Sequence, residues 1–459
     1  MTLQRSGRAA LVLVLVVFAA IVAWLIAQDM PVEWDEAVYA GRARAWVSDL
    51  PATGWGDHRP PGVPLLAIPL VWVTTELPAI RLLGLASGLA LLGACAWLAW
   101  TLRGPLAGAL AALALSTVVP VVARSSQVLT DVAAGAGVVA TAALLWSQLG
   151  RDRVAQRWLW LAPVAAGATF FLRYGSLPFL LALVGVAVVA WWRPLVASPR
   201  RAGLAAAAGV ALALPHLIHA TVVTGDPLGI VRLAGSLAPQ ATFGQAVSGY
   251  LADPGAFGIV AVAGTAAGVV ALVAALVIDR PETLGLSRGA AALLLVPALA
   301  GTGAVAASSA PLPRLLIPAF ALVLTGLAVV VARAFEAGRS GAVVGGVAAA
   351  LLLLGMAGAA GRARADLDEA TRIRAPVAAA ARALATDAGG RTCGVLAREV
   401  PILTWYSGCA AQHFGFPPEA GRAARLVGEV RYLVLHSSQR GEPQGDDRAA
   451  YLRLVESPP

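Results

Sequence analysis

The sequence contains no lysine, and only 13% of its 459 residues are charged. Hydrophobic residues make up 59% of the chain, whereas soluble domains average roughly 45–50% apolar and 25% charged residues. This shortage of charge excludes an ordinary soluble domain. Apolar segments of about 18–23 residues recur from residue 8 to residue 361, and each is long enough to cross a hydrocarbon core. The sequence therefore predicts a polytopic membrane protein.

The common motifs for nucleotides and zinc are also missing. There is no Walker loop and no Gly-x-Gly-x-x-Gly in a βαβ context, so nothing supports a soluble nucleotide-sugar donor. The five histidines are scattered and no Cys-x-x-Cys occurs, which leaves no zinc signature. The net charge of +9 comes from arginine clusters between apolar segments, a pattern typical of membrane topology rather than nucleic-acid binding. The wealth of Ala, Gly and Arg is typical of a GC-rich bacterial genome.

The apolar segments predict eleven spanning helices, a cytoplasmic N-terminus and an external C-terminus in the inner or plasma membrane. A further apolar stretch, 62–75, is short, carries two prolines and ends at Glu76, which is typical of an interfacial or re-entrant segment. Without that stretch as a span, the arginine clusters fall on the cytoplasmic side, as the positive-inside rule requires. The predicted helices are 8–27, 80–102, 104–122, 129–149, 157–173, 175–193, 202–223, 257–279, 288–308, 312–334 and 341–361.

Two domains are expected. Residues 1–361 are predicted to form an all-α bundle of about eleven transmembrane helices plus juxtamembrane helices, with a first external loop at 28–79. Residues 362–459 have a normal soluble composition and are predicted to form a small external α/β domain. Its role is open between a lid or acceptor-docking element and a scaffold. Its predicted elements are a helix at 365–388 and strands at 392–397, 400–406 and 432–436.

The three cysteines leave one question open. Cys95 lies in an apolar helix, whereas Cys393 and Cys409 lie in the C-terminal segment. That pair forms a disulfide if the segment lies in an oxidising compartment. Two reduced cysteines in the core of the domain are the alternative.

The first external loop carries an acidic cluster where the first helix leaves the membrane. Four acids lie within eight residues: Asp29, Glu33, Asp35 and Glu36. If the following segment is helical, one face carries an acid, a phenol, a cation and an indole, because they recur at helical spacing. These are Asp35, Tyr39, Arg42 and Trp46. The cluster indicates functional carboxylates, or else Asp35 caps the helix and Glu36 favours its dipole.

Further polar residues lie at predicted external helix ends. Asp131 begins a helix, where a carboxylate near hydrocarbon is a functional candidate, although N-capping by Thr130 or Asp131 is an alternative. Arg173 and Arg314 are external arginines, against the cytoplasmic bias of arginine. They are candidates for binding an anion, and interfacial snorkelling is the alternative.

These motifs follow one another in an order that resembles the GT-C superfamily of membrane glycosyltransferases. The order is Asp35-Glu36 with Tyr39, then His58-Arg59-Pro60-Pro61, then Arg81-Leu82-Leu83-Gly84, then Leu129-Thr130-Asp131. Over roughly residues 8–335, the chain is similar to the branch of protein O-mannosyltransferases and lipid A aminoarabinose transferases. The His58–Pro61 element differs from the Glu-Lys-Pro form of the aminoarabinose enzymes.

The resemblance implies an inverting enzyme that moves a sugar from a polyprenyl-phosphate donor to an acceptor hydroxyl on the external face of the membrane. It places on Asp35 the acid that acts as catalytic base or positions the acceptor, with Glu36 beside it and a further acid at Asp131; of the two roles, we expect Asp35 to be the base. Basic residues would hold the donor phosphate. The candidate substrate-binding residues are Tyr39, His58, Arg59, Arg173, Tyr174 and Arg314; for His58, an interfacial or hydrogen-bonded histidine is an equal alternative.

Several questions stay open in the sequence. No cofactor is certain, and a divalent cation held by Asp35 and Asp131 is one alternative. The sugar is a hexose or a pentose, and the acceptor is a protein, a lipid or a glycan. A flippase or transporter of lipid-linked glycans is an alternative function, although midplane charges and internal repeats are missing. A non-catalytic partner in a glycan-assembly complex is a third.

Overall fold

Runs of Ala, Leu, Val and Gly, broken by Pro and Gly, form most of the helices of this chain. The computed structural model describes residues 2–51, 59–150, 158–236, 241–278, 280–337, 339–397, 399–413 and 430–434. In the first part of this region the α-helices are α1 Thr2–Ile26, α2 Trp34–Val47, α3 Gly62–Val73, α4 Leu77–Ile80, α5 Leu82–Arg103, α6 Pro105–Leu115, α7 Val119–Ser125, α8 Thr130–Leu145 and α9 Leu161–Leu172.

The second part of the described region continues the helical pattern. Its α-helices are α10 Leu177–Ala190, α11 Trp192–Ala197, α12 Pro199–Thr224, α13 Gly229–Ser236, α14 Phe243–Ala252, α15 Ile259–Val277, α16 Arg288–Ser308, α17 Ile317–Phe335, α18 Arg339–Ala388 and α19 Val400–Ser407. The strands are β1 Cys393–Ala397, β2 Ala410–His413 and β3 Val430–Leu433. All eleven predicted spanning segments are therefore helical where the structure describes them, and the chain is a multi-pass membrane protein.

The predicted spans fall into two groups according to the length of their helices. Among the described residues, eight helices are long and apolar enough to cross a membrane. The other three predicted spans differ from a single long helix. The segment predicted at 104–122 is the pair α6 and α7, bent by 81°, and the segments at 157–173 and 175–193 contain the shorter helices α9 and α10.

The segment predicted to be interfacial is helix α3. It has 12 residues, with Pro69 inside it. At 1.5 Å per residue it is about 18 Å long, which is too short to cross a hydrocarbon core about 30 Å thick. The prediction that residues 62–75 do not form a full span is therefore supported by the length of the helix.

The chain divides into two units. The first consists of Met1–Ala27, Pro60–Gly62 and Arg81–Asp366, and the second of Gln28–Arg59, Val63–Ile80 and Leu367–Pro459. In the first unit, α5 packs against both α6 and α8, and α6 also packs against α1 and α17. The predicted domain boundary after residue 361 stays a prediction; α18 runs through that position without a break.

In the second unit, the C-terminal segment forms a small α/β element around a parallel sheet. The strand order is β2-β1-β3, with both pairs parallel. A disulfide joins Cys393 to Cys409, so the disulfide alternative applies rather than two reduced cysteines. The predicted helix at 365–388 is confirmed as part of α18, and the strand at 392–397 is confirmed as β1. The predicted strand at 432–436 overlaps the end of β3, and residues 435 and 436 lie outside the described part of the chain.

The predicted strand at 400–406 is wrong, because this segment forms α19. Pro401 occupies the first turn of this helix, and Gly408 ends it with a φ of +70°. Every residue from Val400 to Trp405 is buried, so the apolar run carries no alternation that separates a strand from a buried helix. The strand β2, which the sequence did not indicate, follows α19 and pairs in parallel with β1, and parallel neighbours require such a crossover connection.

Candidate active site

The acidic start of α2 is a capping box built from two glutamates. The Glu33 carboxylate accepts hydrogen bonds from the backbone N–H groups of Asp35 at 2.6 Å and Glu36 at 3.2 Å. In return, the buried Glu36 carboxylate accepts one from the Glu33 N–H at 3.1 Å. Reciprocal bonds of this kind satisfy N–H groups that have no partner within the helix. Glu33, and not Asp35, is therefore the cap, and Glu36 has a structural role in shaping this turn.

Asp35 is ion-paired with Arg59, which lies 24 residues later in the same predicted external loop. A guanidinium nitrogen of Arg59 lies 2.7 Å from a carboxylate oxygen of Asp35, and the two side chains are 23% and 14% exposed. The same nitrogen donates to the Tyr39 hydroxyl at 3.2 Å. Asp35 and Tyr39 are one turn apart on α2, so together they clasp one cation. The sequence predicted Asp35 as the catalytic base and Arg59 as a phosphate ligand, and in the structure these two side chains contact each other directly.

The other two residues of the predicted helical face, Arg42 and Trp46, lie next to Arg59 or to each other. Arg42 donates a hydrogen bond to the backbone carbonyl of Arg59 at 3.0 Å, and its guanidinium stacks on Trp46 with 5.1 Å to the ring centroid. The Arg59 guanidinium itself lies 5.3 Å from the ring centroid of Trp34. The predicted face of α2 is therefore confirmed, and three of its four residues contact Arg59.

The surroundings of Arg59 keep it charged. Burial by itself would lower the pKa of Arg59, but the neighbouring Tyr39 and Asp35 outweigh it, so the pKa is raised above its ordinary value. A permanently charged, partly exposed guanidinium suits an anion such as phosphate, because its planar array of donors matches the oxygens.

Arg44, which sequence reasoning missed, anchors the opposite face of α2. It follows Asp35 by nine residues, or about 900° of helical rotation, and therefore points the other way. Its guanidinium donates to the carbonyls of Trp405 at 3.1 Å and Thr404 at 3.4 Å and stacks on the Trp405 ring at 4.3 Å. Burial lowers the pKa of Arg44 to about 10. The sequence contained no specific signal for this anchoring role beyond the position of Arg44 on a helix rich in charged residues. Its partners are backbone atoms about 360 residues away in the chain.

Further contacts tie the start of α2 to the C-terminal segment within the second unit. The Val32 N–H donates to the Tyr406 hydroxyl at 2.9 Å, and a carboxylate oxygen of Glu33 lies 3.5 Å from a guanidinium nitrogen of Arg374. The C-terminal segment thus holds the helix that carries Asp35. A scaffolding role for this segment, one of the two roles left open by the sequence, agrees with these contacts.

In the first unit, a second ion pair joins Asp131 to Arg173. The Arg173 guanidinium lies 2.7 Å from the Asp131 carboxylate and donates to the Thr130 hydroxyl at 2.8 Å. Asp131 is buried in the first turn of α8, whose N-cap is Leu129. The alternative that Thr130 or Asp131 caps the helix is therefore wrong, and the carboxylate is used to hold a cation.

Two glycines of α5 position the segment that leads into Asp131. A Cβ on Gly84 would lie 2.2 Å from the carbonyl oxygen of Gln127, and one on Gly88 would lie 2.4 Å from the Ser125 hydroxyl. Only glycine permits this approach of helix and loop. The Arg81–Gly84 motif therefore contributes through backbone packing at Gly84.

The remaining predicted site residues differ in how they are placed. The Tyr174 ring is buried against Phe170 and His216, with centroids 5.0 and 5.1 Å away, so its ring serves packing. Arg314 lies in the 3-10 turn that precedes α17, and its substrate-binding role stays a prediction. His58 lies outside the residues that the structure describes.

The divalent cation that the sequence left as an alternative, held by Asp35 and Asp131, stays a prediction. Each of these two aspartates faces an arginine nitrogen at 2.7 Å. Across the described ranges, no group of three or more His, Cys, Asp and Glu side chains is placed to hold a metal ion.

The fold is similar to solved membrane glycosyltransferase structures. No protein-family model and no curated protein matches the sequence. ArnT from Cupriavidus metallidurans bound to undecaprenyl phosphate superposes with a TM-score of 0.67 at 15% identity, over 90% of this chain and 87% of that chain. AglB, the oligosaccharyltransferase of Archaeoglobus fulgidus, in complex with an inhibitory peptide and a dolichol-phosphate, gives 0.52 at 12% identity, over 87% and 64%.

A second structure of the Archaeoglobus fulgidus oligosaccharyltransferase, in complex with zinc and sulfate, gives a TM-score of 0.54 at 14% identity. It is matched over 87% of this chain and 62% of its own length. At such identities the likeness concerns the fold and not the residues of the site. This chain is a multi-pass membrane protein with the fold of the GT-C superfamily.

Proposed function

We propose that this protein is a membrane glycosyltransferase that moves a sugar from a polyprenyl-phosphate donor to an acceptor hydroxyl on the external face of the membrane. The observation that carries the proposal is the ion pair of Asp35 and Arg59, seated on a capped helix in a chain with the GT-C fold. A carboxylate and a guanidinium side by side supply a proton acceptor and a phosphate ligand. The ligands of the similar structures, undecaprenyl phosphate and a dolichol-phosphate, support a lipid-phosphate donor.

The reaction is a single displacement at the anomeric carbon. The acceptor oxygen forms a bond to this carbon while the bond from the carbon to the donor phosphate oxygen breaks. The acceptor proton passes to the Asp35 carboxylate, and the polyprenyl phosphate leaves with the electron pair. One displacement inverts the configuration of the sugar. A positioned general base contributes roughly 100- to 10,000-fold to such a step.

Arg59 has a part in both halves of this reaction. Before substrate binds, its guanidinium neutralises Asp35 and donates to the Tyr39 hydroxyl, while its backbone carbonyl accepts a hydrogen bond from Arg42. When a donor phosphate arrives, the guanidinium can exchange the carboxylate for phosphate oxygens, which compete for the same donors. The exchange would release Asp35 to accept a proton only when donor is present.

Within the first unit, taken by itself, two arginines are proposed to bind phosphate. Arg173 is oriented by Asp131 and Thr130, so Asp131 acts as a positioning residue for a cation. Guanidinium groups that already point at developing negative charge stabilise the leaving group without reorganising. Arg314 is assigned the same role on the basis of the resemblance.

The disulfide supports the proposed external location of the C-terminal segment. Bonds such as Cys393–Cys409 persist in oxidising compartments and are rare in the cytosol. This location agrees with the predicted cytoplasmic N-terminus and external C-terminus in a bacterial inner membrane. The sugar, hexose or pentose, and the acceptor, whether protein, lipid or glycan of the cell envelope, remain to be identified by assay.

The test is to incubate the purified chain with a panel of polyprenyl-phosphate sugars and candidate acceptors, and to measure which donors lose their sugar. At least one donor should be consumed by the wild type, and Asp35→Asn should slow the transfer by about 100- to 10,000-fold when the two proteins are compared at equal amounts in the membrane. Asp29→Asn is the matched control, because Asp29 is an exposed acid of the same loop. Undiminished transfer by Asp35→Asn would contradict the proposal, and movement of intact glycolipid across vesicles without transfer would favour a flippase.

A further inference from the structure

A polar cavity lies within the first unit, far from the Asp131–Arg173 pair. It has a volume of about 670 Å³ and is lined by residues from the start of α1 and the end of α5. Gly84 on α5 packs against the segment that leads to Asp131, whereas Arg103, nineteen residues later, lines the cavity. At 1.5 Å per residue these two positions are about 28 Å apart along the helix. The cavity therefore opens at the other end of the bundle.

The cavity is positively charged. Arg8 and Arg103 line it together with Glu336. Arg103 and Glu336 are hydrogen-bonded as an ion pair, and Arg333 lies 3.8 Å from the same carboxylate. The two arginines and one glutamate of the lining leave the cavity with a net charge of +1, and Arg333 adds a further positive charge beside Glu336.

Two tryptophans make one wall of the cavity apolar. Trp97 and Trp100 line it, and the Arg8 guanidinium stacks on Trp100 with 5.4 Å to the ring centroid. The Trp97 side chain is 39% exposed. Tryptophan is enriched at the level of lipid head groups, where its ring contacts acyl chains and its N–H meets water. The cavity thus combines a cationic end with an apolar wall that opens outward.

We infer that this cavity binds the phosphate-bearing head group of an anionic phospholipid, with the acyl chains along the outer surface of α5. Arginine forks match phosphate oxygens, and basic pockets between transmembrane helices on the cytoplasmic side bind anionic head groups. The predicted topology places these arginines on that side. A free phosphate ion would use the same guanidinium groups but would gain nothing from Trp97 and Trp100. The inference does not depend on the proposed transfer reaction.

Native mass spectrometry of the purified full-length protein tests the inference, with dioleoyl-phosphatidylglycerol and dioleoyl-phosphatidylcholine as probes. The wild type should retain one phosphatidylglycerol with at least about tenfold preference over phosphatidylcholine. R8Q/R103Q should weaken that binding about 30-fold, since each arginine near a membrane surface contributes about fivefold to the binding of anionic lipid. The matched control is R200Q/R280Q, which removes two exposed arginines that do not line the cavity and should therefore weaken the retention of phosphatidylglycerol much less than R8Q/R103Q does.

The single variant R8Q keeps the inference testable if R8Q/R103Q does not fold. Arg8 is exposed, and R8Q leaves the Arg103–Glu336 pair intact, so it should weaken phosphatidylglycerol binding about fivefold. Equal affinity for the two lipids would overturn the inference, as would equal losses in the cavity and control variants. Displacement of the bound lipid by millimolar inorganic phosphate would instead assign the cavity to a soluble anion and also overturn it.

Discussion

The ion pair of Asp35 and Arg59 can be tested with a double-mutant cycle that separates catalysis from stability. The variants are D35N, R59Q and the two together, because such a cycle isolates the interaction of a pair. Both side chains are largely buried, at 14% and 23% exposure. D35N leaves the Arg59 guanidinium with the Tyr39 hydroxyl but without a counter-ion. Removing one charged partner at such a site costs about 1–3 kcal/mol of stability.

The two properties are expected to respond differently to the second substitution. D35N/R59Q carries no unpaired charge, so its melting temperature should recover much of the loss seen in D35N. Its transfer rate should not recover, because the double variant has neither the general base nor the phosphate ligand. We expect D35N to lower kcat by about 100- to 10,000-fold, and D35N/R59Q to be at least as slow.

The assay measures release of sugar from the polyprenyl-phosphate donor that the wild type consumes, together with thermal unfolding of the same preparations. D29N provides the control for removing an acid from the loop. If activity returned with stability in D35N/R59Q, to within about tenfold of the wild type, the pair would be only a structural clamp. The catalytic role of Asp35 would then be refuted.

Three further substitutions test the supporting contacts. D131N should leave the Arg173 guanidinium without its carboxylate, lowering stability by about 2–4 kcal/mol and transfer by about tenfold or more, as measured by unfolding and donor consumption. R44Q should remove the guanidinium bonds to two carbonyls of α19 and lower the melting temperature through a loss of about 1–3 kcal/mol; an unchanged melting temperature would contradict this anchor. G84A should destabilise the protein by about 1–3 kcal/mol, because its Cβ would lie 2.2 Å from a carbonyl oxygen. The control is G93A on the same helix. Its Cβ would meet no atom within 4 Å, so this variant should unfold at the wild-type temperature.

Local patterns predicted much of the bundle and of the site. Apolar length located the spanning helices, and helical spacing located the face of α2 that carries Asp35 and Tyr39. These signals succeed because membrane thickness and helical geometry act on short stretches of chain. The acid at Asp131 was found because a carboxylate at the start of an apolar helix is costly without a partner.

The errors arose where a distant segment decides the local structure. Residues 104–122 were predicted to be a single helix, but the helix is broken there. The Val119 N–H donates to the carbonyl of Phe257 at 3.0 Å, which lets the chain bend between α6 and α7. A backbone group freed by a bend at membrane depth must find a partner inside the protein. The partner here is about 140 residues away along the chain, so Pro120 alone could not indicate the bend.

Arg44 shows the same limit for side chains. Its partners are backbone carbonyls of α19, which every residue type presents, so no pattern in the sequence distinguishes them. The capping box is a partial exception, since Glu33 and Glu36 have the correct spacing, although an acid in place of the usual serine or threonine concealed it.

The sequence by itself determined the class of the protein, the approximate helices and the acids and arginines available for chemistry, because composition and periodicity are properties of the chain. The pairing of these charges was decided only by the tertiary structure. Asp35 with Arg59, Asp131 with Arg173, and Arg8 with Trp100 are neighbours in space and not in sequence. The cost of burying a charge is offset only by a partner within a few ångströms, and that distance exists only once the chain has folded.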